Sequence, residues 1–390
     1  MSSNGGNNRA LRFVLLLGAV SLFGDMTYEA ARSIIGPYMA LLGASAVAVG
    51  TVAGLGEFIG YGFRIVSGVF SDRTRRYWTI TITGYVISLT AVPALALAGN
   101  WPLAAALMMA ERFGKAVRNP ARDAMLSHAA HGMGRGWAFG LHEAMDQTGA
   151  IIGPAIVAGV LAWKGSYTYG FAVLAVPALL ALAVLVLARI IYPDPGSFEP
   201  PPGASAGGKN TVFALYMASA ALMALGFADF PLASFHIKTA GILSDKWIPL
   251  LYSGAMGVDA LSALVLGRLY DRKGLIVLVF AVCATALSAP LVFLSGAGPL
   301  IAGMALWGVG MGAQESVVRA VVTDITHAGK RATAYGVFNA GFGFAWFAGS
   351  SMMGFLYGKN VTGMVAFSVS AQLASIPLLF LVRRRLASGA

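Results

Sequence analysis

Charge is scarce in this chain: only 11% of its 390 residues are Asp, Glu, Lys or Arg, against about 25% in an ordinary soluble domain. Cysteine is scarcer still, and the single Cys283 excludes an intramolecular disulfide and any cysteine-based metal cluster. No G-x-x-x-x-G-K-[ST] segment occurs, so no phosphate-cradling loop ties the chain to ATP. The zinc-binding pattern H-E-x-x-H is missing. So are basic stripes interleaved with aromatics, the footprint of RNA binding. With no polar region large enough to house a catalytic domain, the chain reads as neither an enzyme nor a nucleic-acid binder, and no cofactor is expected.

What remains is apolar: 57% of the residues are A, V, I, L, M, F, W, Y or C. One bilayer crossing takes about 20 apolar residues, and twelve take roughly 240. An all-α membrane protein of twelve spans is expected, near 11–40, 46–70, 77–99, 101–123, 136–162, 166–191, 211–238, 247–270, 275–297, 299–324, 332–358 and 362–382. The polar start with Arg9 and Arg12, followed by an apolar run to Gly24, resembles the opening of a signal peptide. Asp25, Glu29 and Arg32 stand where a cleavage site belongs, so an uncleaved first span is expected.

The net charge of +11 encodes orientation. With both termini inside, nineteen of the 27 Lys and Arg fall in inner loops and tails, among them Arg118 and Arg122, and four fall outside. That asymmetry predicts cytoplasmic termini in a multi-pass protein of a bacterial-type inner membrane. Residues 192–210 form a Pro- and Gly-rich stretch that reads as a linker. It divides a six-span bundle at 1–191 from another at 211–390. The halves repeat. Gly68-Val-Phe-Ser-Asp72-Arg73 returns as Gly267-Arg-Leu-Tyr-Asp271-Arg272, and Arg135-Gly-Trp-Ala-Phe-Gly140 as Arg331-Ala-Thr-Ala-Tyr-Gly336. Parallel repeats around a central site are a transporter architecture.

These segments carry a resemblance. The G-x-x-S-D-R-x-x-R run from Gly68 to Arg76 resembles the signature loop of the major facilitator superfamily, and the Gly267 copy agrees. Gly149, Gly153 and Pro154 in Gly149-Ala-Ile-Ile-Gly153-Pro154-Ala-Ile-Val-Ala-Gly159 resemble the helix-packing signature of the proton-linked drug antiporters. Arg112 occupies the place of the family's intramembrane arginine, with Phe113-Gly114-Lys115-Ala116 after it. The resemblance implies a cytoplasmic gate. Asp72 would accept bonds from the N-terminus of the helix beginning near Arg331, where the helix dipole favours negative charge. Arg73 and Arg76 would pair with Asp123, and Arg272 with Asp324.

Besides Asp123 and Asp324 at span ends, nine of the sixteen acids fall within expected spans: Asp25, Glu29, Glu57, Glu111, Glu143, Asp146, Asp229, Asp259 and Glu315. Each costs on the order of 3 kcal/mol at the bilayer centre unless it is paired, watered or functional. Six precede the linker, which points to the N-terminal half for coupling chemistry. Asp25, Glu29 and Arg32 share one helical face, where Glu29 can pair with Arg32 and Asp25 is a candidate proton carrier. Glu111 and Lys115 are spaced to pair, and Arg112 or Lys115 can compete with a proton for Asp25 or Glu29. His142 and Asp146, one turn apart, can titrate or ligate, with Glu143 on the adjacent face. Glu315 and Arg319 are spaced to pair. Asp229 has no local partner, which makes it the second-half candidate for substrate contact.

The expected function is alternating-access secondary transport: proton-coupled export of small amphipathic or cationic molecules by a monomer, the proton serving as coupling ion. One alternative is a proton-linked divalent-metal transporter using Asp25, Glu29, His142 and Asp146. Another is a non-transporting sensor or assembly partner on a transporter fold.

Overall fold

The computed structural model describes the backbone at residues 3–129, 135–193, 210–326 and 331–387, and the side chains at 9–71, 73–126, 141–193, 211–322, 324–326 and 334–386. No strand occurs among the described residues. Nearly all of the expected linker lies outside them. Two compact units emerge, Met1–Ile34 with Phe63–Pro202, and Ile35–Gly62 with Gly203–Ala390. Residues 35–62 thus pack with the second unit, although they precede the linker.

The first unit takes the larger part of α1 (Ser3–Leu41) and the end of α2 (Ala46–Thr74). It also holds α3 (Tyr77–Ala94), α4 (Trp101–Ala129), α5 (Arg135–Lys164), α6 (Tyr167–Val173) and α7 (Ala175–Ile191). Close helix contact here depends on small residues. A Cβ on Gly84 would lie 2.6 Å from the Gly114 carbonyl oxygen, and one on Gly114 the same distance from that of Gly84, so α3 and α4 touch backbone to backbone. The α1–α5 crossing is built likewise. A Cβ on Gly149 would strike the Leu22 carbonyl oxygen, and one on Gly153 would lie 2.8 Å from Met26 Cα. A buried core of Phe13, Leu17, Trp78, Tyr85, Leu185 and Tyr192 joins α1, α3 and α7. Trp78 Nε1 donates to the Tyr192 carbonyl at 2.9 Å, which ties the end of α7 to α3.

The second unit takes the rest of α1 and α2. With them are α8 (Asn210–Gly226), α9 (Phe230–Thr239), α10 (Trp247–Lys273), α11 (Ile276–Ala286), α12 (Ser288–Phe293), α13 (Ala297–Ala313), α14 (Arg319–Ile325), α15 (Arg331–Lys359) and α16 (Val361–Ala387). Several spans expected to be continuous are interrupted. The break after Val173 precedes Pro177, that at Phe227–Asp229 precedes Pro231, and that after Ala286 precedes Pro290. Proline lacks the N–H that would reach the carbonyl four residues back, and each helix ends at or one residue before that carbonyl. Between α13 and α14, residues Gln314–Val318 form a π turn. The Tyr216 hydroxyl donates to the Val318 carbonyl at 2.9 Å, and the Tyr335 hydroxyl to that of Arg319 at 2.8 Å.

Among the described residues, nine segments are long and apolar enough to cross a membrane: Arg9–Leu41, Ala46–Ser71, Tyr77–Leu97, Leu141–Lys164, Tyr167–Ile191, Thr211–Thr239, Trp247–Lys273, Ile276–Phe293 and Val361–Leu386. The remaining expected spans are helical but less apolar or interrupted. α4 carries charged residues from Glu111 to Asp123, α15 is rich in Gly and Ser, and the π turn follows α13. Ile190 and Leu264 are each 71% exposed, and Phe280 69%, as residues facing lipid would be.

Candidate functional site

The first unit gathers charge on facing surfaces of three helices. On α4, Glu111, Lys115, Arg118 and Arg122 are spaced four, three and four residues apart, which places them on one face. On α1, Ser21, Asp25, Tyr28 and Arg32 repeat that spacing, with Glu29 beside them. The α5 contribution is His142 and Asp146, set one turn before the Gly149 contact with α1.

Lys115 Nζ lies 3.7 Å from Glu29 Oε1 and 4.1 Å over the Tyr28 ring. The ammonium therefore reaches across to α1 instead of pairing back to Glu111. Glu111 pairs with Arg112 at 3.4 Å. Asp25 is buried beside Gly149, within electrostatic reach of Asp146, Lys115, Glu29 and Arg118. Arg118, counted among the inner-loop cations in the sequence, is fully buried. Its Nη2 donates to the Tyr28 hydroxyl at 3.0 Å and its guanidinium stacks 4.1 Å over Tyr85.

A second chain of contacts starts at Asp146. His142 Nδ1 lies 3.4 Å from Asp146 Oδ2. His142 Nε2 is 2.9 Å from Ser21 Oγ, which accepts a bond from Arg122 Nη1 at 3.0 Å. Arg122 turns its Nε and Nη2 on Asp123 Oδ1, at 3.0 and 2.8 Å. Sequence reasoning missed Ser21, Tyr28, Tyr85, Arg118 and Arg122 as members of this cluster. The 4-3-4 spacing on α4 is the signal that would have found the two arginines.

Other expected residues fall elsewhere. Glu143 is exposed and accepts from Gln147 Nε2 at 3.4 Å, so it is not one of the buried acids. Glu57 is buried within the second unit. Asp229 finds its partners at long range in that unit: Trp346 Nε1 donates to it at 2.8 Å and Ser350 Oγ at 2.5 Å. These α15 donors hold the carboxylate at the α8–α9 break, and the Ala228 carbonyl there accepts from Trp307 Nε1 at 2.8 Å. Asp259 is buried, and Glu315 sits half-buried in the π turn.

The gate pairs expected from the sequence differ. Asp123 bonds its neighbour Arg122, while Arg73 and Arg76 are exposed. Asp324 accepts from the Tyr270 hydroxyl at 2.7 Å in place of Arg272, and Asp271 is exposed. The Asp72 side chain lies outside those described. The duplicated glycines behave alike, each in its own unit. A Cβ on Gly68 would meet Pro120 Cβ at 3.6 Å on α4, and one on Gly267 would meet Ser316 Cβ at 3.8 Å in the π turn. Among the described residues no three His, Cys, Asp or Glu side chains gather as a metal site, so the metal alternative gains no support.

The chain packs buried charges between apolar helices of membrane-spanning length, and the proteins it is similar to make it a transporter, not an enzyme. The sequence matches the Major Facilitator Superfamily over residues 15–350, with a further match over 248–388, and the chain belongs to that superfamily. It is 41% identical over 382 residues to an uncharacterised protein of Mycobacterium tuberculosis, covering 96% of this chain and 93% of the relative. It is 25% identical over 396 residues to an uncharacterised MFS-type transporter of Methanocaldococcus jannaschii, covering 98% of each. Two solved structures share the fold. The nucleoside transporter NupG has a TM-score of 0.73 at 15% identity, over 95% of this chain and 98% of that one. The peptide transporter POT, in complex with sulfate, has a TM-score of 0.76 at 16% identity, over 97% and 94%.

Proposed function

We propose that this chain is a proton-coupled antiporter that exports small amphipathic cations by alternating access, with both termini in the cytoplasm of a bacterial-type inner membrane. The observation that carries the reading is the position of Lys115. Its ammonium occupies a site made of a carboxylate and a ring, 3.7 Å from Glu29 and 4.1 Å over Tyr28. An organic cation seeks that same pair of contacts. A proton on Glu29 removes the charge that holds either cation. Proton and substrate thus compete for one carboxylate, cannot ride together, and move in opposite directions. The inward proton gradient then drives export. The Gly149-to-Gly159 signature supports the same direction.

The test is flux in proteoliposomes with a trapped pH dye and an imposed pH gradient. The panel holds lipophilic cations, with nucleosides and short peptides added because the similar solved structures are transporters of those compounds. Expected are substrate-dependent proton movement with a lipophilic cation and its loss in Glu29→Gln. Cation flux indifferent to the gradient, or coupling retained in Glu29→Gln, would overturn the reading.

A further inference from the structure

We propose that a groove of the first unit is a seat for one anionic glycerophospholipid, with an acyl chain lying between α2, α3 and α4 and the phosphate on Arg73 and Arg76. The proposal goes beyond the antiport reading. It depends neither on the exported compound nor on the coupling ion.

The groove has a volume of about 440 Å³. Phe63, Val66 and Phe70 line it from α2, and Thr79, Thr83 and Ile87 from α3. Phe70 stands near the end of α2 and Thr79 near the start of α3, so one end of the groove opens at the turn between them. Phe63 and Ile87 lie about two helical turns deeper, roughly 10–12 Å along the helices. There the Phe63 ring meets Phe113 of α4 edge to face at 5.4 Å. Ser67 also lines the groove, but its hydroxyl donates to the Ala116 carbonyl at 2.7 Å, which ties α2 to α4. Val66 is 64% exposed and Phe70 57%, on a segment apolar enough to cross a membrane. An acyl chain covers such a wall.

Polarity along the groove follows the order of a phospholipid. Val66, Phe70 and Arg73 are spaced four and three apart, so Arg73 continues the lining face of α2 to the mouth. Arg76 stands at the N-cap of α3, and both arginines are exposed. With Arg75, the turn sets three arginines against one acid, Asp72. The start of α3 adds the positive end of its dipole. Basic sites beside spanning helices take anionic headgroups. Thr79 and Thr83 come next, at the depth of the glycerol esters, and Ile87, Phe63 and Phe113 follow at the depth of the chain. A free phosphate has no use for the apolar length. An amphipathic cation meets three arginines of its own sign. A second groove, of about 520 Å³ between α10 and α13, is equally apolar, with Trp247, Leu250 and Met304 in its wall. Charges of both signs stand at its Trp247 end, where Lys246 lies over the indole and Asp245 pairs with Lys238. It lacks the arginine cluster and serves as the control.

The test titrates the full-length protein in detergent with phosphatidylglycerol or with phosphatidylcholine of the same chains. Native mass spectrometry counts bound lipid, and thermal unfolding reads its effect. Phosphatidylglycerol should form one tight adduct, preferred over phosphatidylcholine, and raise the unfolding temperature. Each arginine beside an anionic headgroup is worth about fivefold in affinity. Arg73→Gln combined with Arg76→Gln should therefore lower the preference by roughly 25-fold, and the corresponding pair of lysine substitutions should keep it. Val66→Trp fills the groove and leaves the charges in place, so it should abolish the tight adduct, whereas Leu250→Trp in the second groove should not. Phosphatidylglycerol with a photoreactive acyl chain should label residues 63–70 and 79–87. An undiminished preference in the double glutamine variant would overturn the proposal, as would an adduct that survives Val66→Trp. Glycerol phosphate producing the same unfolding shift would reduce the site to an anion site and overturn it too. A lipid-free dimer that Val66→Trp splits would give the groove to a second copy of the chain instead.

Discussion

Replacing Gly153 by alanine tests the crossing that assembles the charged cluster. A Cβ at 153 would lie 2.8 Å from Met26 Cα and 2.9 Å from its carbonyl carbon. Carbon atoms rest at about 3.5–4.0 Å, and the Met26 carbonyl oxygen stands closer still, so α1 and α5 would have to part by at least roughly 0.7 Å. Both contacts are backbone, and no side chain can swing away to absorb the methyl group. Overpacking of this kind costs about 1–3 kcal/mol. Gly159, on the same helix, provides the control, because a Cβ there meets nothing within 4 Å. Alanine in a helix interior is worth about 0.5–1 kcal/mol over glycine, and both variants gain that term. Gly159→Ala should therefore match or exceed the wild type in thermal unfolding. Gly153→Ala should fall below Gly159→Ala by about 1–3 kcal/mol, or about 2–4 °C per kcal/mol for a unit of this size. Equal stability of the two alanine variants would refute the backbone-to-backbone crossing.

Further outcomes follow from other contacts. Ser350→Ala removes the 2.5 Å bond to buried Asp229 and should cost about 1.5–3 kcal/mol in unfolding, with Asp229→Asn rescuing part of the loss; no effect would mean the carboxylate has another role. Lys115→Met and Glu29→Gln should be non-additive in a double-mutant cycle by about 0.5–3 kcal/mol, whereas strict additivity would deny the 3.7 Å pair. Tyr270→Phe should cost about 1 kcal/mol through the 2.7 Å bond to Asp324, while Arg272→Ala should leave unfolding unchanged. The reverse ranking would restore the Arg272–Asp324 pair.

Much of this protein could be read along the chain. Apolar length, the inner excess of Lys and Arg, and the Gly68/Gly267 repeat are one-dimensional quantities, and they led to a helical membrane transporter of the major facilitator superfamily. The pairing i,i+4 is also local, and His142 with Asp146 followed it. Across helices the sequence reading failed in consistent ways. Lys115 had a partner in reach at Glu111 and another across the bundle at Glu29, and only the contact of α4 with α1 decided between them. Asp229 looked solitary because Trp346 and Ser350 stand more than a hundred residues away.

Arg118 and Arg122 were read as loop cations, because a positive residue near a span end is ordinarily a topology signal. The approach of α1 and α3 buries Arg118 and joins Arg122 to Ser21. By itself the sequence determined that the chain is built for a bilayer and that six of its nine acids within expected spans precede the linker. Which charges meet was settled by the tertiary structure alone. An ion pair depends on distances of a few ångströms between helices, and those distances are set by which glycines let two backbones touch.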